Sequence, residues 1–436
     1  MHSFNHLFEK LIDYDNIKMA LHNAAKRKHR RGDVNYIFQD EETHITNVIY
    51  MLEHGEFKPQ VHNLMEIQDG VSKKKRYIVQ PYFYRNQYGQ AVYEQVVQHA
   101  VVQVLRPIIE KSMYFHSNGS IPNRGCHSGK KYLEKYIKNN KENGNIKYFI
   151  KGDIHHYYQS ININLLKQML ARKIHDKKFL KVVFTILDSN IAIFEGQRVN
   201  VGLPIGFYSS QWLANFYLEQ FDHFVKEKLR VKFYSRYMDD FIILGSNKKE
   251  LHKNIEEIKN YLEKLSLKLK PNHKVALFDY TNPKTGKTTG ECIDFMGFKF
   301  YRNRTVLRKH VLRHAKRAAK QVQKAIDNNR LNWYLACRMI SYFGWFKVTN
   351  TYKYYMTYIS PFAHINTCKK IIHQHDHKVQ VNYSVRETHK MNRVHNIFHE
   401  QGITKYCKLL KLRGENKNVR TNLENFRKFK QTTRIG

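Results

Sequence analysis

Residues 234–245, YSRYMDDFIILG, set two adjacent carboxylates, Asp239 and Asp240, between a tyrosine-flanked run and the apolar stretch Phe241–Leu244. Two β-forming runs around a short polar pair read as a hairpin with the acids at its turn. Turns favour Asp for a local reason, because its side chain bonds nearby backbone, so the pair alone has a bland explanation. It constrains the fold once other segments must converge on it, and the chain carries 75 Lys and Arg against 37 Asp and Glu, a formal net charge of +38. A balance that positive costs self-repulsion unless a polyanion neutralises it, which points to nucleic acid.

A disordered basic tail is excluded, since 42% of the residues are hydrophobic and 29 Tyr and 26 Phe supply material for real cores. At 436 residues two or three packed units are expected. Five scattered cysteines, Cys126, Cys292, Cys337, Cys368 and Cys407, with no CxxC pair, suggest neither a disulfide framework nor a zinc site and fit a reducing cytoplasm. No stretch approaches the roughly 18 apolar residues of a membrane span, and the acidic N-terminus does not read as a signal peptide.

Periodicity predicts a helix over 4–25, ending in the basic knot KRKHRRGD (26–33), read as a solvated helix end or a phosphate contact. KKKRYIVQPYFYRN (73–86) reads as a β-hairpin arm with cations at its root, and a helix follows over 91–109 until Pro107 limits it. A strand led by Tyr148–Ile150 runs to the lone Asp153. The Gly/Pro turn VGLPIG opens a helix from about Ser209 to Leu229, and the acidic hairpin comes next. A helix and strand over 254–271, a polar loop at 279–291 and a strand at CIDFMGFKFY (292–301) lead into basic helices from Arg308 to Tyr358. From Pro361 the composition suggests a loosely packed basic appendage, and no internal repeat is visible. His373, His375, Asp376 and His377 read as part of that tail with adventitious metal affinity.

A magnesium pair needs carboxylates from different segments, because hard divalent cations prefer oxygen ligands. Asp153 at one strand's end and Asp239 at the hairpin turn could be neighbours in one antiparallel sheet. In order along the chain, VVQHA (96–100), KGDIHHYYQSI (151–161), GLPIGFYSSQ (202–211), YMDD (237–240) and CIDFMGF (292–298) resemble the motif blocks of the reverse transcriptases. More narrowly, IGFYSSQ, with Ile205 where many branches carry Gln, resembles the enzymes of diversity-generating retroelements, a pattern that some antiviral-defence reverse transcriptases share. The likeness covers about residues 5–360.

The resemblance implies an α+β right-hand polymerase: an N-terminal helical region (1–72), fingers (73–150), a ferredoxin-like antiparallel palm (151–300), a helical thumb (301–360) and the basic appendage (361–436). It implies that Asp153, Asp239 and Asp240, with the Ile154 carbonyl, hold two Mg2+ ions, for which Mn2+ can substitute. Lys74 and Arg76 match the cations that grip the triphosphate, and Lys73 and Lys75 beside them leave the register open by one. Tyr158 matches the gate that presses on the sugar where a 2′-hydroxyl would sit. Gly202, Pro204, Ile205, Gly206, Ser210 and Gln211 match the turn and helix start beneath the new base pair, and Ile205 implies relaxed fidelity opposite template adenine. Lys270 aligns with a lysine that protonates pyrophosphate. Phe295, Met296, Gly297 and Phe298 resemble the primer grip, while Arg124 and His127 keep part of a fingers motif. Arg308, Lys309, Arg313, Lys316, Arg317 and Lys320 would grip the hybrid's phosphates.

Two positions depart from the family's pattern: Gln95 and Ile121 stand where arginines are usual, which touches fingers contacts and leaves the acids intact. The partners implied are template RNA, an RNA/DNA hybrid, deoxynucleoside triphosphates and a small basic accessory protein, with no membrane. No RNase H or integrase-like block appears. The expected function is copying a template-repeat RNA into mutagenised cDNA. The alternatives are a phage-defence enzyme that makes cDNA from a dedicated noncoding RNA, and a non-catalytic RNA-binding protein on a polymerase scaffold.

Overall fold

The computed structural model describes residues 4–28, 31–68, 75–138, 146–282 and 284–375. Within them the chain divides into one unit of residues 4–320 with 341–363 and a second of 321–340 with 364–375. Eight strands of the first unit matter for function: β1 (His62–Gln68), β2 (Lys75–Val79), β3 (Tyr148–Asp153), β4 (Ile191–Phe194), β5 (Gln197–Asn200), β6 (Phe233–Tyr237), β7 (Asp240–Gly245) and β8 (Lys274–Leu277). They form two four-stranded sheets, ordered β2-β1-β4-β5 and β6-β7-β3-β8.

The second of these sheets is antiparallel throughout. Strand β7 is its spine because DFIILG buries Phe241, Ile242, Ile243 and Leu244 in succession, the pattern of a strand covered on both faces. One cover is the helix Lys248–Lys264, which buries Leu251, Ile255, Ile258 and Leu262 at helical spacing. Those four side chains contribute roughly 6–12 kcal/mol of apolar burial before entropy is charged. The Asn247 side chain caps this helix by accepting from the Lys249 and Glu250 amides.

Several expectations need correction. The predicted helix over 4–25 is two helices, Leu7–Leu11 and Tyr14–Ala25, because Asp13 stops to cap the second by accepting from the Asp15 and Asn16 amides. Pro107 does not limit its helix, which runs Glu94–Ser112 with Pro107 inside. A mid-helix proline costs about 3 kcal/mol, and burial of Ile108 and Ile109 beyond it offsets that. The hairpin partner of β2 is the preceding strand β1 and not a later part of 73–86, with Gln68 opposite Lys75 and Ile67 opposite Arg76. The helix after the Gly/Pro turn breaks at Leu218 into Tyr208–Tyr217 and Glu219–His223, then a π-helical turn Phe224–Lys228. CIDFMGFKFY is a hairpin and not one strand: Ile293–Phe295 and Phe298–Phe300 pair across Met296 and Gly297, both at positive φ.

In the second unit, Val322, Ala336, Met339 and Cys368 are fully buried, and residues 365–375 are helical. The start of the expected loose appendage is therefore packed. His373 and His375 lie on that helix, whereas Lys73, Lys74, Asp376, His377 and Cys407 lie outside the described residues. Among the described residues no helix is long and apolar enough to cross a membrane.

Candidate active site

Sheet register decides the site. Antiparallel pairing of β3 with β7 sets Asp153 directly opposite Asp240, and pairing of β6 with β7 across Met238 and Asp239 brings Asp239 to the same end. The Ile154 amide donates to the Asp239 carbonyl at 3.3 Å, which ties the residue after Asp153 to the turn. Three carboxylates from two segments thus converge as the sequence suggests. Burial, and then the negative charge of Asp153, raise the Asp240 carboxyl from 3.8 to about 7. Asp239 is raised mainly by burial, with Asp153 adding to it and Lys270 opposing.

Lys270 is not in a strand, as expected of it, but in the connection after an isolated bridge of Leu269 to Ile154. Its amide donates to the Asp153 carbonyl at 2.8 Å, and its Nζ lies 2.5 Å from Asp153 Oδ1. Among the described residues no three His, Cys, Asp or Glu side chains are closed up as a ready ligand set. The donors nevertheless fit a hard divalent cation: only carboxylates and backbone oxygens, with the Asp239 and Asp240 carboxyls raised by burial and then by the charge of Asp153, and the Lys270 ammonium opposing that rise at Asp239.

Beside the acids is a cavity of about 430 Å³, lined among others by Tyr158, Ile205, Gly206 and Gln211. Its floor is the GLPIG loop, held at both ends: Leu203 donates to the Tyr158 carbonyl, and Val79 donates to the Ile205 carbonyl, each at 2.8 Å. Burial and the charge of Asp239 raise the Tyr158 phenol, so it stays protonated near the acids. On β2, Ile78 and Val79 line the cavity, Arg76 shares a sheet face with Ile78, and Lys75 pairs with Glu66 at 3.1 Å.

Sequence reasoning missed the other wall. Lys28 and Arg31, from the knot read as a solvated helix end or a phosphate contact, line this cavity with Gln95, Gln98 and His99. Lys28 Nζ donates to Gln95 Oε1 at 2.5 Å, and Gln95 in turn donates to the Pro81 carbonyl. Burial and then Arg31 lower the Lys28 ammonium's pKa. Gln98 is fully buried, accepts from the Tyr208 amide, and leaves its Nε2 without a partner. Burial and then Lys28 push His99 down to about 4, so its imidazole is neutral at pH 7, stacked at 3.9 Å on Tyr208. A buried unpaired donor and a half-buried cation call for an acceptor-rich, anionic ligand.

Phe295, Met296 and Phe298 are all buried, so the hairpin offers its surroundings the half-buried Gly297 and none of these side chains. Phe298 stacks obliquely on Trp345 at 4.9 Å, with exposed His127 edge-on to that indole at 5.8 Å. Arg124 donates to the Tyr114 carbonyl and covers the exposed Phe115. Along the helix that begins at Lys309, Arg313, Arg317 and Lys320 are exposed with Lys309 at spacings of three and four, which makes one cationic stripe. Lys316 sits 4.4 Å over the Tyr358 ring, and Arg308 is paired with Asp294 at 2.6 Å.

The fold is that of the right-hand polymerases. Residues 83–300, half of the chain, match the family model described as reverse transcriptase (RNA-dependent DNA polymerase), and the chain belongs to that family. It is 28% identical over 268 residues to the group II intron-encoded protein LtrA of Lactococcus lactis subsp. cremoris, a match covering 60% of this chain and 41% of that one. Protein YkfC of Escherichia coli is 26% identical over 139 residues, covering 32% and 36% of the two chains. The chain thus spans well under two thirds of these relatives. Among solved structures, a truncated apo telomerase of Candida tropicalis superposes with a TM-score of 0.42 at 16% identity, covering 59% of this chain and 58% of that one.

Proposed function

We propose that the protein is an RNA-templated DNA polymerase that adds deoxynucleotides to a primer 3′-hydroxyl with release of pyrophosphate. The observation that carries the reading is the register of Asp153 opposite Asp240, with Asp239 at the adjoining turn. Asp153, Asp239 and Asp240 are the residues that would hold two Mg2+ ions, with the Ile154 carbonyl as a further oxygen. Such ions, when bound, activate the attacking hydroxyl and steady the leaving phosphates. The chain's own residues do the rest. Tyr158 presses on the sugar face, Arg76 on the strand whose end lines the cavity grips phosphate by its fork, and the GLPIG loop supports the new base pair.

On the opposite wall Lys28, with Arg31, contacts a phosphate of the template strand, and the Gln98 amide meets an acceptor of the bound nucleic acid. The stripe of Lys309, Arg313, Arg317 and Lys320 follows the duplex backbone, so affinity falls steeply with salt. Purified protein given an RNA template, a DNA primer, Mg2+ and deoxynucleotides should extend the primer; binding of the template–primer with no extension would favour an RNA-binding scaffold instead.

Tyr158→Ala is expected to cut the preference for deoxy- over ribonucleotides by about 10-fold or more, measured as the ratio of kcat/KM values. An unchanged ratio would remove Tyr158 from sugar selection.

Within that chemistry we propose the mutagenic role, in which a template-repeat RNA is copied with errors at adenines. Ile205 supports it: an apolar residue lines the cavity here, and an apolar wall discriminates far less than a hydrogen-bonding one. Ile205→Gln should lower misincorporation opposite template adenine in sequenced products, and an unaltered error spectrum would show that this position does not set fidelity. Adenine-specific differences between two near-identical repeats beside the gene would separate this role from phage defence.

A further inference from the structure

The acidic hairpin is gripped from inside by a buried ion pair. Arg236 and Asp222 are both fully buried. Arg236 Nε donates to Asp222 Oδ1 at 2.7 Å and Nη2 donates to Oδ2 at 2.6 Å, while the Tyr234 hydroxyl donates to Oδ1 at 2.7 Å. Taking two charges out of water costs several kcal/mol each, and such pairs are often no more stabilising than apolar residues of the same volume. Stability therefore gives little reason for an arginine here.

Geometry gives a better one. The third arm, Nη1, donates to the Met238 carbonyl at 2.9 Å and to Asn215 Oδ1 at 3.1 Å. Met238 is the residue before Asp239 and stands at φ +56°, a region that a long side chain occupies only when its surroundings over-determine it. Asn215 donates onward to the Gly119 carbonyl at 2.8 Å. Gly119 presses on the turn from outside, since a Cβ there would lie 2.6 Å from the Met238 nitrogen. The 116–118 segment flanks β6, the Asn118 amide donating to the Arg236 carbonyl at 2.8 Å and the Arg236 amide to His116 at 3.1 Å. The turn is thus over-determined from two sides.

We propose that Arg236, seated by Asp222, is a positioning residue: its Nη1 holds the Met238 carbonyl and thereby fixes the turn that aims Asp239. This rests on the polymerase reading. Arg236 itself touches no substrate, and what it supplies is angular precision, where a misplacement of about 1 Å costs on the order of 10²-fold in rate.

Removing one partner leaves a bare buried charge, so the decisive variant removes the guanidinium, the carboxylate and the hydroxyl together. Arg236→Met with Asp222→Leu and Tyr234→Phe should fold, with a Tm lowered by about a few degrees for the Met238 and Asn215 oxygens that lose their donor and with unchanged template–primer affinity. Its kcat for primer extension should fall about 100-fold, and amide exchange at Met238 and Asp239 in the metal-free protein should accelerate. Arg236→Lys, which keeps charge and loses the fork, should show the same kcat loss with KM for the deoxynucleotide little moved. A folded triple variant with wild-type kcat, or with wild-type exchange at the turn, would overturn the proposal. So would loss of the fold in both variants, which would make the pair a stability element. Failure of the wild type to extend a primer would instead sink the polymerase reading, and the exchange measurement separates the two because it needs no activity.

Discussion

Asp240→Asn is expected to raise the melting temperature of the metal-free protein at pH 8 by about 2–4 °C while lowering primer extension at least about 10³-fold. Both effects have one cause. Asp240 faces Asp153 across the ladder beside Asp239, and burial with that repulsion lifts its carboxyl from 3.8 to about 7. A carboxyl raised in the fold contributes stability that is complete below the unfolded value and lost as pH rises through the folded one. Without Mg2+, the wild type should therefore lose ground to Asp240→Asn between pH 4 and 7 and stay behind above it. Saturating Mg2+ should reverse the ranking, since the cation offsets the crowding only where the carboxylates remain. Paired thermal melts with and without Mg2+ test this, and a variant that melts below wild type in metal-free buffer at pH 8 would contradict it.

Gly206→Ala should lower kcat/KM for nucleotide addition by about 10²-fold or more with a smaller effect on overall stability. Gly206 has φ +118°, where side chains are strained, and an added Cβ would fall 2.0 Å from the Val79 carbonyl. That carbonyl belongs to the end of β2, whose amide is bonded to Ile205, and it is backbone that cannot rotate aside. The substitution must push β2 off the cavity floor, parting the Arg76 strand from Ile205 and Tyr158. Steady-state extension with a parallel melt checks it. Wild-type kinetics in a folded Gly206→Ala protein would show that this contact does not shape the cavity.

Much of the site was legible because strand patterning fixes register. Once KYFIKGD and DFIILG are read as neighbouring antiparallel strands, Asp153 and Asp240 can meet only at one end. The turn acids, the GLPIG loop and Tyr158 followed from the family likeness, and Tyr158, Ile205 and Gly206 line one cavity. What stayed hidden depended on distant partners. Lys28 and Arg31 sit in a run of six basic residues within KRKHRR, which looks like any solvated helix end, and only packing of the N-terminal helices against Glu94–Ser112 turns it toward Gln95. Arg236 was open to detection: a charged residue in a strand whose neighbours are apolar and aromatic demands a buried counter-charge. Nothing local says that the counter-charge is Asp222. Pro107 misled because a local penalty was read without the burial beyond it.

The central claim is that Asp153, Asp239 and Asp240 together hold the divalent ions at which a deoxynucleotide joins a primer. Titration of Mn2+ into the protein with template–primer and a non-hydrolysable deoxynucleoside triphosphate, followed by electron paramagnetic resonance, tests it most directly. The account predicts two bound ions in the wild type, and loss of both in Asp153→Ala with template–primer binding retained. Equal Mn2+ binding by wild type and Asp153→Ala would contradict it.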